Sequence, residues 1–596
     1  MKKVKLKSTV KMLKTILMVI TAKSGGKAYI ALTAFLAIVK TVPPLALTVL
    51  PGLIITELTE EVRVSLIVSY VAVLLAVPVV TSFITTFLSN AIYEKKLSLN
   101  LQMEESFYTF CFQLDYESME KPDIMVARDR AERTLQKFPS GIEQLVELIS
   151  AMISFGVVSS IIISLNPFIV LFIVATIAIN SIISKKYNEK LYGIGRELSR
   201  YDNYQGAYSY MLTQFDYAKE VRIFGIWNYL ISVYADSKIK SNKMELKYFK
   251  TKNKPSLVYA ITNLTQQAVL YTYLVASVVK HIITIGSMTI CLAAAQQFAT
   301  SLGQVFSSYV NLANMNLDIE EYLNFLKTPS KQRKMGNIIP KFKKGSVIEF
   351  KNVWFKYPGS DIYALKNVNL TIKEREKLCI VGMNGSGKST LIKLLMRLYF
   401  PTEGEILLNG ININCYDYSA YQRLFAPVFQ DFANYHLTIG ENITFSKEYD
   451  LEKLNKICKQ CGLMELLEKL PKGYETQVGK WIDESGIDPS GGEEQRIAIA
   501  RARYRDGYVF VLDEPTAALD PFAEYEIYSQ FNSMTENKTA IFITHRLSAV
   551  KLADAVVVFD NGELKEYGTH GQLYAKNGIY KEMFDKQAEF YREKSV

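Results

Sequence analysis

Long apolar stretches constrain this chain more than any other feature. Segments near residues 28–55, 64–91, 145–165, 168–183, 257–279 and 288–312 are dominated by apolar side chains. Most approach or exceed the roughly 20 residues that a helix needs to cross a hydrocarbon core. In lipid the backbone must satisfy its own hydrogen bonds, so these stretches are expected to be helices. The fourth is the shortest, and only Asn166-Pro167 separates it from the third, as a tight turn would. Six spans would put both ends of the domain on one side of the bilayer. Of 596 residues, 49% are hydrophobic and 21% charged, which is unusual for a soluble enzyme.

Charge indicates which side is which. Residues 185–254 carry 14 Lys and Arg, and Met1–Lys14 is also basic. The connections expected on the opposite side offer only Arg63 and Lys280. Positive loops stay inside, so a multi-pass cell-membrane protein with cytoplasmic termini is expected. The net charge of +10 is then explained by topology, and nucleic acid is not required as a partner. The mixed Lys and apolar residues of Val10–Ile20 admit a signal peptide, an interfacial helix or a first span. With Lys23 and Lys27 following and no small-residue cleavage site, an amphipathic interfacial helix is preferred. The inner connections 93–141 and 185–254 are too long for turns. They read as spans continuing into the cytoplasm and returning, with short helices at Asp115–Pro122 and Phe215–Ile226.

Beyond the spans the chain changes character. Residues 326–345, rich in Lys with Pro329 and Pro340, read as a linker between a transmembrane domain (1–325) and a second domain (346–596). From Ser346, β-rich runs at Val347–Phe350, Leu378–Val381, Tyr508–Leu512, Ala540–Thr544 and Ala555–Asp560 alternate with helical stretches. That alternation argues an α/β domain with a mainly parallel sheet. Within it, Gly382-Met383-Asn384-Gly385-Ser386-Gly387-Lys388-Ser389-Thr390 fits the phosphate-loop pattern between a strand and a helix. Glycines let successive N–H groups face an anion, and the helix adds its positive end. Lys388 would lie over the β- and γ-phosphates and Ser389 would face Mg²⁺, so ATP or GTP binding follows. Cys458 and Cys461 form a lone C-x-x-C with no second pair, and read as small apolar residues rather than a zinc site.

These motifs resemble the ATP-binding cassette family, specifically exporters that fuse six spans to one P-loop cassette. The resemblance covers nearly the whole chain. It identifies Asp115-Tyr116 and Lys219–Gly225 as the two coupling-helix regions. Tyr508–Glu514 matches the Walker B strand, which implies Asp513 as a Mg²⁺ ligand and Glu514 as general base. Pro515–Asp520 matches the following D-loop, which brings in Asp520. Tyr357 matches the aromatic that stacks on adenine. Gln430 matches the glutamine that senses Mg²⁺, and His545 the switch histidine at the γ-phosphate. The signature stands as Pro489-Ser490-Gly491-Gly492-Glu493, with Ser490, Gly491 and Gly492 intact and Pro489 and Glu493 as departures. In this family one cassette's signature completes the other's site, so a dimer is implied. A homodimer is the simpler expectation, and a heterodimer stays open.

The stretch 480–489 is longer than in multidrug and lipid-flipping exporters, and resembles the Gly-Lys-Trp insertion of exporters for lantibiotics and other modified peptides. With no cysteine-protease domain ahead of the spans, the resemblance implies no leader-peptide cleavage. The expected function is ATP-driven export of an amphipathic modified peptide by alternating access, with lipid or multidrug export as the alternative and an ATP-gated channel a more distant one. Lys40, Gln266, Gln267, Gln296 and Gln297 lie within spans as candidates for a hydrated path. The glutamines equally suit interhelical hydrogen bonds.

Overall fold

The computed structural model describes residues 6–60, 62–165, 167–331, 336–513, 531–532, 535–544 and 550–592. The chain divides into two compact units: residues 1–109 with 127–326, and residues 110–126 with 327–596.

The first unit is helical. Its elements are α1 (Leu6–Thr21), α2 (Gly26–Thr59), α3 (Val64–Phe112), and, after α4 (Tyr116–Met119) of the second unit and α5 (Pro122–Thr134), α6 (Lys137–Leu165). They are followed by α7 (Pro167–Thr213), α8 (Phe215–Ile223), α9 (Trp227–Val279) and α10 (Ile285–Phe325). Among the described residues, α2, α3 and residues 137–163 of α6 are apolar enough to cross a membrane, with mean hydropathies of 1.9, 2.4 and 2.1. The other expected spans lie in α7, α9 and α10. The sharp ends of α3 and α7, at Phe112 and Thr213, leave the short helices α4 and α8 at the turning points.

Helix α1 is anchored by one face. Met12, Ile16 and Ile20 are buried, whereas Val10 and Met18 are exposed. Gly141 of α6 permits the fit, since a Cβ there would meet Ile16 at 2.9 Å and Met315 of α10 at 3.1 Å. The expected interfacial helix is thus docked against its own unit along one side. Helices α2 and α10 approach through glycines: a Cβ on Gly286 would meet the Gly52 carbonyl at 2.5 Å. Such small-residue contacts replace the hydrophobic drive that helices lack in lipid.

The second unit holds two sheets. The six-stranded one runs β10-β9-β3-β8-β7-β6, with β3 (Lys377–Gly382), β6 (Phe425–Val428), β7 (Val509–Asp513), β8 (Thr539–Ile543), β9 (Ala555–Asp560) and β10 (Glu563–Gly568). All neighbours pair parallel except β10, an antiparallel edge. The other sheet, β2-β1-β4-β5, is antiparallel: β1 (Val347–Phe355), β2 (Leu365–Lys373), β4 (Glu403–Leu408) and β5 (Ile411–Asn412). The run at Val347 therefore belongs to a separate sheet and extends five residues beyond Phe350. Strand alternation divides the interior in two. Leu378 and Ile380 of β3 join one cluster with Val353, Leu391 and Ile541, and Cys379 and Val381 join another with Ile457, Phe510 and Phe542. Cys458 and Cys461 are buried in the second cluster, where burial pushes their thiols up to about 11 and about 12. Thiols so raised are inert small apolar side chains.

Candidate functional site

The site forms where the parallel strands end. Ile380 of β3 pairs with Ile543 of β8, Ile543 with Asp513 of β7, and Leu512 with Val428 of β6. Four loops therefore leave the same edge side by side: the glycine loop after β3, and those after β8, β7 and β6. Ligands of open α/β sheets bind outside these carboxyl ends. Gln430 follows β6 by two residues and is exposed. Glu514, Asp520 and His545 lie outside the described residues; Glu514 directly follows β7, and His545 follows β8 by two positions.

The glycine loop connects β3 to α11 (Lys388–Leu395). Gly382, Gly385 and Gly387 take φ of +155°, +80° and +105°, a backbone that L side chains resist. Space is limiting too: a Cβ on Gly387 would lie 2.7 Å from the Ala364 carbonyl. Gly387→Ala is expected to cost about 1–3 kcal/mol of strain. For a domain of this size that lowers the cassette melting temperature by about 2–10 °C in calorimetry. An unchanged melting temperature would mean that the neighbours yield.

The polar groups of the loop fit a polyphosphate. The Lys388 ammonium is buried and donates to the Gly382 carbonyl at 2.9 Å and the Met383 carbonyl at 3.1 Å. The Ser386 hydroxyl is buried with no hydrogen-bond partner among the described residues. A buried donor with no acceptor costs about 1–3 kcal/mol unless a ligand supplies one. The Ser389 hydroxyl lies 3.2 Å from Asp513 Oδ1, joining the first turn of α11 to the tip of β7. A hydroxyl and a carboxylate suit a hard cation that completes its shell with phosphate and water oxygens. No cluster of three or more His, Cys, Asp or Glu suited to a metal occurs among the described residues.

Tyr357, just beyond β1, stands over the same helix start. Its hydroxyl is 3.0 Å from Thr390 Oγ1. Its ring meets Phe355 and Tyr399 edge-on at 5.0 and 5.3 Å, and Lys393 Nζ lies 5.9 Å from its centre.

The signature starts a helix, Gly491–Arg505, with Ser490 and Gly491 exposed. Glu493 accepts from the Ser490 amide at 2.7 Å and the Ser490 hydroxyl at 2.8 Å. The pattern S-x-x-E/Q is a helix cap that glutamate or glutamine can close, so Glu493 keeps this start formed despite its departure from the family residue. Pro489 precedes the cap, where its missing N–H breaks no intrahelical bond. The inserted stretch before it is an ordered loop. Gly479 donates to the Ile487 carbonyl at 2.8 Å, and Asp483 accepts from the Ser485 hydroxyl at 2.7 Å and Lys472 at 3.2 Å. The Ser485 hydroxyl and amide, then Lys472, hold the Asp483 carboxyl down at about 2. Trp481 stands 75% exposed at its tip, edge-on to His436 at 5.1 Å.

In the helical unit, Gln266 accepts from the Thr176 hydroxyl at 2.8 Å, joining α9 to α7. That residue takes the interhelical role. Gln296 and Lys40 are exposed on the isolated chain, and Gln297 is half-buried.

Comparison with known proteins settles the family. The ABC transporter family pattern matches residues 365–517. The subtilin transport ATP-binding protein SpaT of Bacillus subtilis is 30% identical over 94% of this chain and 91% of its own length. The chain belongs to the ABC transporter family. The nisin transport ATP-binding protein NisT of Lactococcus lactis is 30% identical over 83% of this ABC transporter and 82% of its own length. An ATP-dependent lipid A-core flippase of Haemophilus influenzae is 40% identical over 40% of each chain. Among solved structures, a bacterial Atm1-family ABC exporter with ATP bound superposes with a TM-score of 0.76 at 21% identity, over 94% of this chain and 98% of that one. The fold is that of an ABC exporter half-transporter, a six-span membrane domain with one cassette. This ABC transporter is an ATP-hydrolysing, ATP-binding membrane exporter of the dimeric half-transporter type.

Proposed function

We propose that the chain exports an amphipathic modified peptide from the cytoplasm, as a homodimer that binds two Mg·ATP between its cassettes. Alignment across the membrane half, which must accommodate cargo, supports this reading. The subtilin and nisin transport proteins align over 94% and 83% of the chain, whereas the lipid A-core flippase named above aligns over 40%. The basic inner loops support a cytoplasmic cassette and termini.

Each site takes its parts from two copies. The first supplies Tyr357 for adenine, and Gly382, Asn384, Gly385, Ser386, Gly387, Lys388, Ser389 and Thr390 for phosphate. Ser389, Gln430 and Asp513 would hold Mg²⁺, which screens charge on the transferring phosphoryl group. The second copy supplies Ser490, Gly491 and Gly492 at the positive start of their helix, and Asp520 from the D-loop. Glu514 orients and deprotonates the attacking water, and His545 contacts the γ-phosphate. Closure on ATP and reopening after hydrolysis drive the spans between inward and outward states.

Two measurements test the cargo. ATPase stimulation in proteoliposomes should follow added lanthionine peptides such as nisin, and a response to lipids alone would favour the lipid-exporter reading. Substituting Gln296 and Gln297 together with Leu should lower peptide transport about tenfold or more, from two polar contacts of about 1 kcal/mol each. Basal hydrolysis should persist. Equal loss of both activities would assign the pair to helix packing.

A further inference from the structure

Tyr399 is a buried phenol that the reading above leaves without a task. It lies just beyond α11 in the second unit, 1% exposed. Its ring meets Tyr357 edge-on at 5.3 Å and Phe355 at 5.5 Å. It also meets Tyr116 at 5.5 Å, at an interplanar angle of 79°. Its hydroxyl donates to Glu120 Oε1 at 2.7 Å, across 279 positions of sequence. Tyr116 and Glu120 flank and include the ends of α4, the short helix between α3 and α5. Burial first, and then the Glu120 bond, raise the Tyr399 phenol, so it remains a proton donor.

The same segment is held at a second point. Asp115 accepts from the Ser330 hydroxyl at 3.0 Å and from the Lys331 amide at 2.9 Å. Asp115 thus ties the segment to the chain leaving α10, and Glu120 ties it to the ring that backs Tyr357. Only the second tie reaches a residue assigned to the nucleotide.

We propose that Tyr399 is a positioning residue through which adenine stacking on Tyr357 sets the order of the segment Gln113–Glu120. This rests on Tyr357 being the adenine platform. A nucleotide stacked on the half-buried Tyr357 fixes that ring, which is already bonded to Thr390 at the start of α11. The fixed ring holds Tyr399 edge-on, and the phenol remains aimed at Glu120. A carboxylate acceptor makes that bond one of the stronger uncharged-donor bonds available. The segment continues directly into α3 and α5, so its order is conveyed along the helices of the hairpin. By reciprocity, whatever displaces the segment changes nucleotide affinity by the same factor.

The test is hydrogen–deuterium exchange on the purified full chain, with and without a non-hydrolysable ATP analogue. In the unmodified protein the analogue should slow exchange both in the loop 382–390 and in 113–120. Tyr399→Phe keeps the ring and removes the hydroxyl. At saturating analogue it should leave loop protection intact, and it should weaken ATP affinity by no more than the factor by which the segment's protection falls, since the Tyr357 ring is unchanged. Protection of 113–120 should be lost. Glu120→Gln, which retains an acceptor, should preserve that protection, and Glu120→Ala should abolish it. Nucleotide-dependent protection of 113–120 that persists in Tyr399→Phe would overturn the proposal, as would its absence from the unmodified protein while the loop is protected. Loss of loop protection in the unmodified protein would instead overturn the nucleotide reading, and the proposal with it.

Discussion

Lys388→Ala is expected to remove nucleotide binding rather than merely slow turnover. The ammonium is buried at the start of α11 and held by the Gly382 and Met383 carbonyls, so it is already placed at the mouth of the loop. Charge-assisted hydrogen bonds contribute about 1.5–3 kcal/mol each. Losing two to phosphate oxygens weakens binding about 10²- to 10⁴-fold at 1.4 kcal/mol per decade. Titration with a fluorescent ATP analogue measures this directly. The substitution also frees two loop carbonyls, so a melting curve should accompany it. An unchanged analogue affinity in a folded variant would remove Lys388 from the site.

Glu514→Gln should have the opposite signature. Nucleotide affinity should be retained, because amide and carboxylate have the same shape. Hydrolysis should fall about 10²- to 10⁴-fold with the loss of the general base. The closed dimer should then accumulate with ATP, visible as a larger species on size exclusion. Undiminished hydrolysis would sink the assignment. Taken together, the two variants separate holding the nucleotide from cleaving it, which a single inactive variant cannot do.

Local patterns were legible in the sequence, and contacts between distant positions were not. The strand–loop–helix around Lys388 could be read because its chemistry resides in nine consecutive residues with a required backbone. The cap joining Ser490 to Glu493 is equally local, an S-x-x-E spacing, although it first registers as a departure from a family motif. The antiparallel sheet escaped notice because β1, β2 and β4 pair across up to 60 positions, as Ile348 does with Leu408. Nothing in a short run of strand residues says which sheet it will join. The choice between a hydrated path and interhelical bonding for Gln266 depended on the relative rotation of α7 and α9, which periodicity does not set. The contact between Tyr399 and Glu120 was invisible for the same reason. Tyr399 follows an apolar helix and reads as ordinary core until its hydroxyl is given a partner.

Strand β3 contributes alternate side chains to both apolar clusters and ends in the phosphate loop. A one-residue slip would exchange Leu378 and Ile380 for Cys379 and Val381 and turn the loop over. Packing on either face of the sheet therefore acts as a vernier on the position of Gly382. Engineering this cassette for heat resistance by refilling one cluster would shift the calibration of its nucleotide affinity. Thermal tolerance and ATP affinity are two readings from one scale.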